Sequence, residues 1–107
     1  MSPWFYLTLA ICFEVAGTLL LKLSEGFSIL HWGILAILCY AICFWLLAPA
    51  LRDLPVGLAY ALWAGLGIIG ATALGVLIFG DTLTLYQYGF VALILIGAIG
   101  LRLSGEH

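Results

Sequence analysis

Charge is what this sequence lacks most. Of its 107 residues three are basic (Lys22, Arg52, Arg102) and five acidic (Glu14, Glu25, Asp53, Asp81, Glu106). Eight charges cannot coat a water-soluble globule of this length, and three cations cannot grip a nucleic-acid backbone by counterion release, so no nucleic-acid partner is expected. A net charge of -2 leaves neither an acidic tail nor a polybasic lipid anchor. Cysteine is scarce too. Cys12, Cys39 and Cys43 all lie in apolar runs, where a thiol behaves as a small hydrophobe, and no disulfide framework follows. Cys39 and Cys43 share a helical face with His31 a little earlier, but neither the spacing nor a fourth ligand fits zinc, so no metal is expected. No Ser/His/Asp or Cys/His constellation, phosphate loop or carboxylate pair occurs, and the chain is not expected to be an enzyme.

What fills the sequence instead is apolar surface: 66% of the residues are hydrophobic and the mean hydropathy is +1.31. That composition is a membrane protein's. Four apolar stretches, residues 3–21, 29–51, 56–79 and 85–101, predict an all-α protein of four transmembrane helices in one domain, 1–107. The connectors carry helix-ending and capping residues, among them Gly26, Pro55 and Gly80, and are short enough to force neighbouring helices antiparallel. The first stretch has no basic leader region and carries Glu14 at its centre, so it reads as mature structure rather than a signal peptide. Tyr6, Trp32 and Tyr86 fall near span ends and suit the headgroup interface.

Four spans put both termini on one side with Arg52 and Arg102, leaving Lys22 alone in the loops opposite. A basic bias of two against one barely specifies orientation, so insertion both ways round is one expectation and a single orientation the other. Four short helices are too few to enclose a substrate path. Two copies inserted oppositely would form an inverted repeat, the architecture of alternating access.

Glu14 is the one ionisable residue deep within a span. Eleven residues past Pro3 it lies about 16 Å down the helix, near the bilayer midplane. A carboxylate there costs roughly 2.5 kcal/mol or more, so such an acid faces a cavity, binds protons or pairs with a cation. Around it Leu7, Ala10, Ile11, Gly17 and Thr18 share its face, most of them small enough to leave room or to pack a neighbouring helix closely. Tyr60 and Trp63 are three apart on the third span, Tyr40 and Phe44 four apart on the second. Each pair presents aromatic faces of the kind that attract organic cations, or simply fills space. Gly65-Leu66-Gly67-Ile68-Ile69-Gly70 matches the dinucleotide-binding string literally, but it follows no strand and lies inside an apolar helix. Gly65 and Gly67 are expected instead at a helix bend or close helix contact. On the fourth span Leu93, Ile94, Gly97 and Gly100 carry no polar group and suit helix association.

At this point the residues resemble a known family, the small multidrug resistance (SMR) transporters, in their multidrug, quaternary ammonium branch. The resemblance covers essentially the whole chain. It rests on Glu14-Val15-Ala16-Gly17-Thr18 with Lys22, on Ser24-Glu25-Gly26-Phe27, on Phe44-Trp45-Leu46-Leu47-Ala48, and above all on the run from Pro55 to Gly67. It implies a proton-coupled exporter of lipophilic cations, working as an antiparallel dimer in a bacterial inner membrane, with Glu14 of both subunits binding proton or substrate in competition. Protons are the coupling ion and no cofactor is implied. Trp63 and Tyr60 would line the pocket, together with Trp4 and the residues around Glu14. Tyr40 would take part in conformational exchange, and Leu93, Ile94 and Gly97 would form the dimer contact.

Three departures bear on substrate range and dimer packing. Trp4 stands where a tyrosine is usual, Cys43 and Ala64 replace hydroxyl residues, and Phe90 occupies a usually small position. The guanidinium-exporting branch has a bulky tryptophan after the central acid, where this chain has Gly17-Thr18, which favours larger cations here. Related branches move guanidinium, polyamines or lipid-like substrates, or work as pairs of two different chains. Outside the resemblance stands a different class, a structural membrane subunit whose Glu14 pairs with a partner helix.

Overall fold

The computed structural model describes residues 2–104, which form α1 (Pro3–Leu23), α2 (Leu30–Asp53), α3 (Val56–Phe79) and α4 (Leu85–Ser104). All four are long and apolar enough to cross a membrane. At about 1.5 Å per residue their 20 to 24 residues span about 30 to 36 Å, the thickness of a hydrocarbon core and its edge. Lys22, Arg52 and Arg102, expected just beyond the spans, belong to the last turns of their helices. There a cation faces the helix C-terminal carbonyls and continues the helix rather than ending it.

Local chemistry sets the helix ends. Ser2 caps α1 by accepting the Trp4 N–H at 3.1 Å, and Pro3 opens the helix where no amide hydrogen is needed. Ser24, fully buried, donates to the Leu21 carbonyl and accepts the Phe27 N–H, closing the turn into α2. Gly80 ends α3 in the left-handed conformation, φ 71°, as a Cβ-free residue readily does. Thr84 and Gln87 then cap α4 reciprocally, each side chain accepting the other's backbone N–H at 2.9 and 3.2 Å.

The helices do not close into a bundle. α1 packs between α2 and α3, α4 packs along α3 and reaches α1 where Arg102 meets Trp4, and α2 barely touches α3. The result is a row in the order α2, α1, α3, α4, only 17 Å thick in its shortest dimension. Its core is a thin seam of Leu7, Ala10, Cys43, Leu46, Leu47, Ala50, Leu62 and Ala98. α4 buries Ala98, half-buries Val91 and Ile94, and leaves most of its largely apolar surface open.

Candidate functional site

The site is assembled at the α1–α3 crossing. Glu14 reaches across to α3, and its carboxyl lies where a side chain on Gly67 would stand. Buried there, its Oε1 has no hydrogen-bond partner among the described residues. One turn earlier on α3 the indole Nε1 of Trp63 is also buried, with no oxygen or nitrogen partner among the described residues. Cys43 of α2, completely buried, brings its thiol beside the Trp63 indole and within electrostatic reach of Glu14. A buried polar group without a full partner is costly, so an unpaired carboxyl oxygen near an indole N–H that faces only a thiol, a weak acceptor, marks a site in the middle of a span that completes itself with something else.

Aromatic rings extend outward from Trp63. The Tyr60 ring is 5.7 Å away and the Phe44 ring 6.0 Å, both tilted, and they link α2 to α3 across the open face of the row. Tyr60 is 61% exposed and Phe44 55%, so half of each ring is free to meet a ligand, lipid or a second copy. Cations are held on such faces most strongly where water is excluded.

On the other side of Glu14 a short relay ties α1 to α2. The Thr18 hydroxyl is 3.0 Å from the Glu14 backbone carbonyl and 2.7 Å from the Tyr40 hydroxyl. A carbonyl only accepts, so Thr18 donates its one proton to Glu14 and Tyr40 donates to Thr18. Tyr40 is thereby oriented, one turn below the acid.

The other expected site residues separate by role. Trp4, Leu7 and Ile11 line a cavity of about 350 Å³ between α1, α3 and α4, and the Arg102 guanidinium lies 4.0 Å over the Trp4 ring. Ala10 and Gly17 lie in helix packing rather than on a cavity. Ala10 is fully buried in the core, and a Cβ on Gly17 would meet Ala36, Cys39 and Tyr40 of α2 at 3.3–3.4 Å. Gly65 and Gly67 sit within one unbroken helix, and both serve close approach: Gly65 receives Ile94 of α4, Gly67 receives Glu14. Ile94 is thus turned partly inward, while Leu93 and Gly97 lie on the open face of α4.

The structure sharpens two expectations and adds one contact. Of the bend and the close contact expected at Gly67 the structure shows the contact, and its partner is the Glu14 carboxyl itself; Cys43, expected to bear on substrate range, lies beside Trp63. The pairing of Lys22 with Asp81 at 3.0 Å joins the last turn of α1 to the α3–α4 connector 59 residues on, and no local pattern announces it.

Comparison with known proteins now decides the family. The family model described as Small Multidrug Resistance protein matches residues 2–96. This chain belongs to the small multidrug resistance family. Among its SMR relatives, the quaternary ammonium compound-resistance protein QacC of Staphylococcus aureus is 37% identical over 103 residues, 96% of each chain. The multidrug transporter EmrE of Escherichia coli (strain K12) is 47% identical over 85 residues, 79% of this chain and 77% of its own. A guanidinium exporter of Yersinia pestis is 40% identical over 101 residues, 94% of this chain and 97% of its own. The four apolar helices and the SMR family together make this a multi-pass membrane protein.

Proposed function

We propose that the chain is a proton-coupled antiporter that exports hydrophobic, quaternary ammonium-type cations across a bacterial inner membrane. The observation that carries this is the Glu14 carboxyl, buried on Gly67 with an oxygen that nothing among the described residues satisfies. Such an acid is stable when it holds a proton or when a cation stands beside it, and unstable bare, so the two compete for one place. Exchange of one for the other couples a downhill proton to an uphill cation. Trp63, Tyr60 and Phe44 supply the aromatic faces and the apolar contact that a bulky organic cation needs and a hydrated inorganic ion does not.

A row of four helices leaves this site open on one face, and a second copy closes it. In the reading put forward here the copies lie antiparallel, the open face of α4 with Leu93 and Gly97 forms the contact, and two Glu14 side chains share one cavity. Alternating access then follows from the two copies exchanging roles. The names of QacC and EmrE support a quaternary ammonium or multidrug substrate. The guanidinium exporters at 40% identity favour a second reading, export of guanidinium through the same acid.

The test is substrate-driven current from purified protein in proteoliposomes, comparing a quaternary ammonium, guanidinium and a polyamine, with Glu14→Gln as control. A Glu14-dependent current that favours the quaternary ammonium is expected. Preference for guanidinium selects the second reading. Current of wild-type size in Glu14→Gln overturns both.

A further inference from the structure

At the membrane end opposite the α1 N-terminus, the chain holds a second place built for a cation. Lys22, in the last turn of α1, sets its ammonium 3.0 Å from Asp81 Oδ1 and 5.1 Å from the centre of the Phe79 ring. Asp81 is fixed from the other side. Its backbone N–H donates to the Gly75 carbonyl at 3.2 Å, and its Oδ2 rests where a Cβ on Gly75 would come within 2.6 Å. A carboxylate just past the end of α3 adds its charge to the helix's own C-terminal carbonyls, a field that repels anions and draws cations. Carboxylate, helix end and aromatic ring converge on one point, and the chain's own lysine occupies it.

That point opens into a recess of about 280 Å³ between α1 and α3, lined by Thr18, Lys22, Thr72, Phe79 and Asp81 among others. Its inner end is Thr18, whose hydroxyl is bonded to the backbone of Glu14. The Lys22–Asp81 pair is about half exposed on both sides, so solvent screens it and a competing cation can exchange with it.

We propose that this recess is an outer cation subsite, in which an alkylammonium displaces the Lys22 ammonium from Asp81 and Phe79 before it passes to Glu14. The inference rests on the cation-export reading above. Lys22 acts as a resident stand-in for the substrate: it keeps Asp81 neutralised when no substrate is present and leaves when one arrives. Asp81 receives the positive charge, Phe79 offers the ring, and the apolar wall of α3 takes the alkyl groups.

The experiment titrates tetrapropylammonium into the full chain by calorimetry, in wild type and in variants that remove Glu14. Wild type binds at Glu14. Glu14→Gln retains weak binding at the outer site, and Glu14→Gln with Lys22→Gln tightens that binding about two- to fivefold, the range for releasing an exposed ion pair. Adding Asp81→Asn abolishes it, and Asp81→Glu in its place restores it, with helix content by circular dichroism confirming that each variant is folded. The subsite is overturned if the Glu14→Gln, Lys22→Gln chain binds nothing, or if its binding survives Asp81→Asn. Wild-type binding unchanged by Glu14→Gln would overturn the export reading instead, so the two failures are distinct.

Discussion

The Glu14 carboxyl on α1 occupies the space that a side chain on Gly67 of α3 would fill. The acid and the glycine therefore form one unit, and a carboxyl can be buried at this crossing only because α3 has nothing there. Gly67→Ala tests this with a sign opposite to the usual one. In a helix interior alanine is favoured over glycine by about 1 kcal/mol. Here its methyl displaces the carboxyl, and cation binding falls about ten- to a hundredfold, the scale for a reacting group moved by about 1 Å. Gly57→Ala is the control: among the described residues nothing outside its own stretch of helix lies within 4 Å of its Cβ position, and affinity stays unchanged. Both are read by cation titration.

Tyr40 donates to Thr18, and Thr18 to the backbone of Glu14, so the α1–α2 junction beside the acid is held by side-chain hydroxyls. Tyr40→Phe and Thr18→Val each remove the link. Interhelical hydrogen bonds within membranes are worth about 0.6 kcal/mol on average, and the double variant should cost little more than either single one. Unfolding by denaturant in micelles measures the cycle. Additive losses would separate the two hydroxyls.

Arg102 stacks 4.0 Å over Trp4 and ties the end of α4 to the start of α1, beside the cavity that Leu7 and Ile11 also line. The contact is worth about 0.5–1 kcal/mol near the surface. Trp4→Phe keeps a ring and loses part of this; Trp4→Leu loses all of it and opens the cavity. Relative thermal stability in the order wild type, Trp4→Phe, Trp4→Leu is expected, with Arg102→Gln above Trp4→Leu because it opens no cavity, and no further loss when Arg102→Gln is added to Trp4→Leu.

The open face of α4 separates chain folding from assembly. Among the described residues nothing outside its own stretch of helix lies within 4 Å of a Cβ on Gly97, so Gly97→Leu leaves the four helices as they are. If this face joins two copies, the same substitution splits the dimer. Light scattering of purified protein should then give half the wild-type mass at unchanged helix content. A dimer of wild-type mass would place the contact elsewhere.

Most of the fold was legible in the sequence because apolar length alone dictates a spanning helix, and the capping residues fix where each one stops. Glu14 was legible for the converse reason, as the single charge where charge is expensive. The pairing Tyr60–Trp63 follows from helical spacing, and its rings do meet. What spacing cannot supply is the angle and depth at which two helices cross. That relation decides that Gly67 seats a carboxyl, that Gly17 and Ala10 are given to packing, and that Ile94 turns inward against Gly65. The order of helices in the row was equally hidden, since each helix is apolar all round and no stripe shows which neighbour it faces.

The most direct test of the central claim is the number of protons released when an organic cation binds to purified protein in weak buffer, followed by a pH electrode or by calorimetry in buffers of different ionisation enthalpy. If Glu14 holds either a proton or a cation, binding at a pH where the acid is protonated releases protons, affinity weakens as pH falls, and Glu14→Gln abolishes the release. Cation binding of wild-type strength that releases no proton at any pH, or a release that persists in Glu14→Gln, would contradict the account.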